Sequence, residues 1–557
     1  MKEDQLMDTK MKRGFWIGIN YSKTDLMLIA GSAVMSVMFY LVYMATQKTF
    51  ILILFSMLAL GSAFLFLKPI IDRDNKKNDI NSNIPFFITA FSSLATSDAN
   101  IIDLLDILSK KEKLGYLRKE LEKILNLVRN WGMGLAEAMT FVAKRTPSDI
   151  FSDFLTRFGH AIDSGQDIQE FARTEVFSTM NSFETAYTSA LYSFDLYRDI
   201  YVSLLLSFAF LITFIMIMPI LIPINITVVL SLSLLMVALG EFMLVYGISI
   251  VLPKDPLWHK TGIKTDTDIK MRNLFFISIT ASMMIFIILD VTKIIYKIPF
   301  YFTFAMIVSP IAYPSYIGSK MEREVQKKDE MYGSFIRSLS GSASARGNLL
   351  IDALKAIVMH DFGILSKDID KLYKRLLYRI NSLKAWKMFS ADTGSHLIEI
   401  YSETYAESID LGADALKSGM IVSENFEKIV GLRKRKHSSV TSFVGIMYGI
   451  TAGLAFSLAI SYGILKIIDG IFSGFNLSAL GVTGIFLAPP SSSVYLIEIF
   501  LMIILFVHSF IGGVSLKVSD GGRIVHGLHH TVLMIWIVSF VVYGTLQITS
   551  ILLSSTV

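Results

Sequence analysis

Apolar residues along the chain gather into long runs, separated by polar stretches of two very different lengths. A membrane-crossing helix needs about 20 mostly apolar residues, each rising about 1.5 Å through a hydrocarbon core about 30 Å thick. Nine runs answer to that description: Leu26–Ala45, Phe50–Leu67, Tyr201–Leu221, Ile226–Leu252, the rather short Leu274–Leu289, Phe300–Gly318, Val440–Leu465, Val494–Leu516 and Val532–Leu553. Pro219, Pro223 and Asn225 break the third from the fourth, and Pro310 and Pro314 lie near the end of the sixth. Two long polar stretches remain, about Lys68–Ile200 and Ser319–Ser439, each large enough to fold as a domain. Within them the apolar positions follow helical spacing. Leu114, Leu117, Leu121, Ile124 and Val128 make one stripe, and Ile150, Phe151, Phe154, Leu155 and Phe158 a second. Ile369, Leu372, Leu376 and Leu377 make a third, and Leu397, Ile398, Tyr401 and Tyr405 a fourth. Strand-like alternation is weak. The pattern predicts an all-α integral membrane protein with two helical bundles, each leading into a membrane span, and Gly165 and Gly412 placed to end helices.

The two polar stretches resemble each other at a nearly constant offset. Phe87-Ile88 corresponds to Phe335-Ile336, and Ile102-Asp103 with Leu105 to Ile351-Asp352 with Leu354. Lys119–Ile124 corresponds to Lys367–Leu372, and Ile162-Asp163 with Gly165 to Ile409-Asp410 with Gly412. Chance likeness between helical stretches is the alternative, but four blocks keep register. The expected organisation is therefore a tail with two spans (1–67) and a first cytoplasmic domain (68–200). Four spans follow (201–318), with a connector at 253–272, then a second domain (319–439) and three closing spans (440–557).

Charge orients these elements. Lys2, Lys10, Lys12, Arg13 and Lys23 precede the first run, Lys254 to Arg272 carry five basic residues, and Arg433-Lys434-Arg435-Lys436 precede the seventh. Lys and Arg concentrate in cytoplasmic loops, so nine crossings put the N-terminus and both polar domains in the cytoplasm and the C-terminus outside. Lys293 and Lys297 are a minor exception. The polar, basic lead-in with no small-residue cleavage site makes the first run a retained span rather than a signal peptide. Composition agrees: 53% hydrophobic and 18% charged residues, against about 25% charge in soluble domains. The net charge of +5 is what a positive-inside bias produces and does not argue for nucleic acid. With no cysteine, disulfides, thiolate metal sites and cysteine nucleophiles are excluded.

Family resemblance enters through the first polar stretch. It runs from Phe91-Ser92-Ser93-Leu94 through Ile102-Asp103-Leu104-Leu105 and Gly134-Leu135-Ala136-Glu137-Ala138 to Phe154-Leu155, Ala161 and Gly165. This pattern, with its doubled domain and paired spans, resembles the F-type inner-membrane platform proteins of type II secretion systems and type IV pili. The second stretch lacks the Gly-x-x-Glu-Ala element. The extra terminal spans and Lys517-Val518-Ser519-Asp520-Gly521-Gly522 are similar to the archaellum-platform branch. The resemblance implies a non-enzymatic platform for assembly or rotation of an archaellum or pilus-like filament. Such a platform docks a cytoplasmic hexameric secretion-type ATPase and passes its motion to pilin- or archaellin-like subunits. It also implies a homo-oligomer, a dimer being the simplest. A transporter or channel is the alternative, since internal repeats are common there, although here the repeat lies in the polar parts.

The chain has no phosphate-binding loop, zinc-protease motif or nucleophile elbow, which makes a partner the energy source, and no cofactor is expected. Candidate partner-binding residues are Lys110, Lys111, Lys113, Arg118 and Lys119, which also read as a solvated turn, and Arg433, Lys434, Arg435 and Lys436, which also read as an anchor on anionic lipid. The connector 253–272 is a plain link or a lever. Glu241 lies mid-span, where a charge costs at least about 2.5 kcal/mol, so it needs a partner, a proton or water. Glu498 reaches toward an interface, while Asp290 and Lys466 mark span ends. Asp520-Gly521-Gly522 signals a tight turn. His526, His529 and His530 share a helical face but have no fourth metal ligand in sight. The loop Asp469–Ser493 is unusually apolar for an exposed one.

Overall fold

The computed structural model describes residues 49–97, 99–221, 226–263, 266–347, 349–474 and 491–556. These are helical almost throughout, with one isolated antiparallel bridge between Trp258 and Ser395. Among the described residues seven helices are long and apolar enough to cross a membrane, and they contain the third to ninth apolar runs. The first run, Leu26–Ala45, lies outside the described residues, as does most of the apolar loop 469–493. The second, Phe50–Leu67, forms the start of α1 (Thr49–Leu94). The short fifth run sits inside α8, a 26-residue helix, Asp266–Val291, because the polar turn at Asp266–Asn273 continues into it. The sixth run is broken. α9 (Phe300–Val308) ends at a 3-10 turn, Ser309–Ile311, before α10 (Ala312–Ser344), because Pro310 has no N–H to continue the ladder.

The chain forms two compact units. The first combines the chain up to Ile84 with Leu105–Asp167. It holds the end of α2 (Ile101–Ser109), α3 (Tyr116–Trp131), α4 (Leu135–Ala143) and α5 (Asp149–Asp163). The expected stripes are its core: Leu117, Leu121, Ile124, Phe151, Phe154 and Phe158 are each at most 1% exposed. Ser148 caps α5 by accepting from Phe151 N at 3.2 Å, and its hydroxyl donates to Asn81 Oδ1 at 2.5 Å. Gly165, with φ of +68°, ends α5 as its position suggests.

The second unit holds residues 85–104 and 168–557. Its helices are α6 (Ile168–Leu221), α7 (Ile226–Val251), α8, α9, α10, α11 (Leu350–Ile357), α12 (Ser366–Leu377), α13 (Ser382–Thr393), α14 (His396–Asp410), α15 (Ala415–Gly474), α16 (Ser491–Asp520) and α17 (Leu528–Thr556). In its polar part Tyr332, Phe335, Leu372, Trp386, Leu397 and Tyr405 are buried. Leu377, expected in the buried stripe, is 52% exposed because α12 ends there and the chain turns away. Ser395 caps α14 by accepting from Ile398 N at 3.1 Å, and its hydroxyl donates to Asp329. The elements α2 to α6 thus recur in order as α11 to α15, down to a capping serine that donates to a side chain of the preceding long helix.

No loop separates polar helices from apolar ones where it matters most. α6 has 54 residues and α15 has 60, or about 80 and 90 Å of continuous rod at about 1.5 Å per residue. Their apolar halves pack with α7, α16 and α17 around Ile212, Val237, Leu458, Met502 and Val538.

Candidate functional site

Where the long rods leave their apolar halves, the connector is clamped onto them by charge. After α7 the chain is non-helical from Pro253 to Ile263. Asp255 accepts from Tyr187 of α6 at 2.7 Å and from Lys436 of α15 at 3.2 Å. Lys436 also donates to Pro253 O at 3.0 Å, and Arg433 to Pro256 O at 3.3 Å. Arg433 stands 3.9 Å from Asp255 and 3.8 Å from Asp329 of α10. Burial alone raises the carboxyl pKa of Asp255. Lys436 and Arg433, with the hydrogen bonds from Tyr187 and Lys436, outweigh that and hold it below the usual carboxylate range. The connector then reaches the start of α14. His396 N donates to Leu257 O at 2.9 Å, His259 N to Gly394 O at 3.0 Å, and Lys260 N to Glu399 Oε2 at 2.7 Å. Burial lowers the pKa of the His396 ring, only partly opposed by Glu399 at 3.3 Å, so the imidazole is held neutral.

A second knot forms on Glu322 of α10. Its carboxylate takes a buried ion pair from Lys517, His526 Nδ1 at 2.7 Å, Arg523 N at 3.0 Å and Trp258 Nε1 at 3.1 Å. Three partners come from the end of α16 and the turn after it, and one from the connector, so Glu322 ties these elements to α10. Asp520 bonds His437 of α15 at 2.9 Å and Lys517 at 3.3 Å. Gly521 and Gly522 follow with φ of +93° and +80°, and a Cβ on Gly522 would meet the Glu322 carboxylate. Between the knots lies a cavity of about 110 Å³ lined by residues including Asp255, Asp329, Arg433, His437, Asp520 and Gly522.

The structure therefore brings together the basic cluster, the connector and the glycine turn. It also divides the cluster. Arg433 and Lys436 side chains are 15% and 5% exposed and turned inward, whereas Lys434 and Arg435 are 60% and 62% exposed, pairing with Glu330 and Glu184. The other basic candidates belong to the first unit. Lys110 pairs with Asp106, Arg118 with Glu122, and Lys119 stacks over Tyr116 at 4.7 Å. Lys111 precedes the 3-10 turn Glu112–Leu114 and Lys113 lies within it. Hydrogen bonds from Lys110 and Arg129 lower the pKa of Asp106.

A family model for type II secretion system protein F matches residues 87–219, from the end of α1 into the apolar half of α6. The chain is 37% identical to Flagella accessory protein J of Methanocaldococcus jannaschii over 86% of its length and 87% of the relative's. It is 34% identical to Flagella accessory protein J of Methanococcus voltae over 90% of each. The chain belongs to the Flagella accessory protein J family. No solved structure matches it.

Other polar groups of note include a pair buried within the apolar helices. Glu241 and His508 are both fully buried and 2.7 Å apart, and His508 Nε2 meets Thr451 Oγ1 at 3.2 Å. His508 is the partner the sequence reading lacked; a single histidine in an apolar run was the available signal. Glu498 is bonded by Tyr462 at 2.8 Å. The three C-terminal histidines diverge to Glu322, Ser315 and Tyr448, and no group of three or more metal-binding side chains occurs among the described residues. Glu322, the centre of the second knot, was missed, and Lys517 was read only as part of the stretch leading to the glycine turn: nothing in their local sequence marks a pairing across 195 positions.

Proposed function

We propose that this multi-pass membrane protein is the platform of an archaellum or related type IV pilus-like filament, docking a cytoplasmic secretion-type ATPase and coupling its motion to filament subunits. The observation that carries the reading is the continuity of α6 and α15 from polar modules into apolar spans, in a chain whose flagellar accessory relatives align over nearly its whole length. A rod without a hinge passes a push or twist from one end to the other.

In this reading the polar modules 68–200 and 319–439 are copies of one unit. The recurring element order and the paired serine caps support that view. Nine spans put both modules and the N-terminus in the cytoplasm. Lys434 and Arg435, with Lys110 and Lys119, are exposed basic residues offered to the ATPase or to anionic headgroups, while Arg433 and Lys436 brace the connector. The assembly is a homo-oligomer, a dimer being the simplest. Co-purification from native membranes with the cognate ATPase tests the reading; its failure, together with a saturable solute flux in proteoliposomes, overturns it in favour of a transporter.

A further inference from the structure

The basic groups singled out by sequence lie at the start of α3 and on α15. A different corner of each module is the one built for recognition. The end of α3 presents Trp131, 80% exposed, and the residue just after α12 is Tyr378, 79% exposed. These two residues hold the same place in the recurring order, each followed directly by a residue in the left-handed region: Gly132 with φ of +66° and Arg379 with φ of +57°. Glycine adopts that conformation freely, whereas an arginine there is strained. The chain keeps an exposed, strained arginine where glycine serves in the other module.

Around Tyr378 the surface is both apolar and basic. Leu377 and Leu383 are 52% and 39% exposed. Arg379, Lys384 and Lys387 are exposed and have no ion-pair partner among the described residues. Neither aromatic contributes to a core, so packing does not explain them. Trp, Tyr and Arg are the residue types that carry most binding energy at protein interfaces.

We propose that the Leu377–Tyr378–Arg379 corner, with Trp131 at the equivalent corner of the first module, is where the cytoplasmic ATPase docks, through acidic residues bordering an apolar pocket. This rests on the platform reading and names its contact surface. Three unpaired cations beside a bare aromatic fit a partner that supplies carboxylates around an apolar cleft.

The test uses the full-length protein in nanodiscs of neutral lipid with the cognate ATPase. Trp131→Ala, Tyr378→Ala and Arg379→Gly each weaken binding by about tenfold or more. Arg379→Gly removes the backbone strain, so its melting temperature holds or rises while affinity falls, which separates docking from folding. Affinities within about threefold of the unaltered protein in all three variants overturn the inference and leave the platform reading standing. If those variants instead lose binding only to anionic vesicles, the corner is a lipid contact and the inference is again overturned. Failure of the unaltered protein to bind the ATPase overturns both.

Discussion

Glu241 and His508 share a hydrogen bond at 2.7 Å where neither touches solvent. Each is the other's hydrogen-bond partner, so the membrane interior tolerates them as a pair far better than singly. Removing one partner strands the other: His508→Leu is expected to cost about 3–5 kcal/mol, read as a lowered melting temperature in detergent. An unchanged melting temperature contradicts the pairing. Gly522 is a second sensitive position, since alanine there meets both a positive φ and the Glu322 carboxylate. Gly522→Ala is expected to destabilise by more than about 1 kcal/mol, whereas the same change at Gly544, with nothing near its Cβ position, is expected to be tolerated. Individual residues were legible when chemistry marked them locally. Glu241 stood out because a charge in an apolar run needs an explanation. Glu322, and its pairing with Lys517, did not, because a charged residue beside a span looks like any interfacial one.

At the scale of elements, the connector behaves as a clasp whose strength depends on pH. Both Asp255 and His396 have folded-state pKa values below their ordinary ones, so the unfolded chain takes up their protons first. Their contributions are full above the unfolded values and are lost as pH falls. His396 acts first, below about 6.5, and Asp255 below about 3.9. Asp329, raised by burial to about 6, works in the opposite sense in the same window, so His396→Gln is expected to raise the melting temperature at pH 5 relative to that at pH 7, compared with the unaltered protein. Continuity of the long helices gives a further test. Ser438→Pro interrupts α15 below its apolar half, at a cost of about 3 kcal/mol or more. ATPase capture is expected to survive while filament assembly is lost; filaments formed normally by this variant contradict transmission through the rod. The seventh apolar run was read from Val440, yet the helix begins at Ala415, where Asp414 accepts from Leu416 N at 2.9 Å and Lys417 N at 3.0 Å. That cap was present in the sequence, but hydropathy alone locates the lipid-facing half of a helix and not its polar continuation. Leu377 shows the converse. Its spacing placed it in a buried stripe, and only the end of α12 turns it outward.

For the molecule as a whole, the all-α class and the polar modules between apolar spans were legible because 3.6-residue periodicity and span length are written directly in residue order. The charged clasp was not, because the connector, α10, α15 and the turn after α16 meet only in three dimensions. The central claim is that two like helical modules lie on the cytoplasmic side, joined to the membrane by unbroken helices. Since the chain has no cysteine, a single introduced one reports its own location. Glu122→Cys and Lys374→Cys place thiols on exposed positions of α3 and α12, one in each module. A membrane-impermeant maleimide is expected to label both variants in inverted vesicles and neither in intact cells. Labelling of either position from outside intact cells contradicts the account.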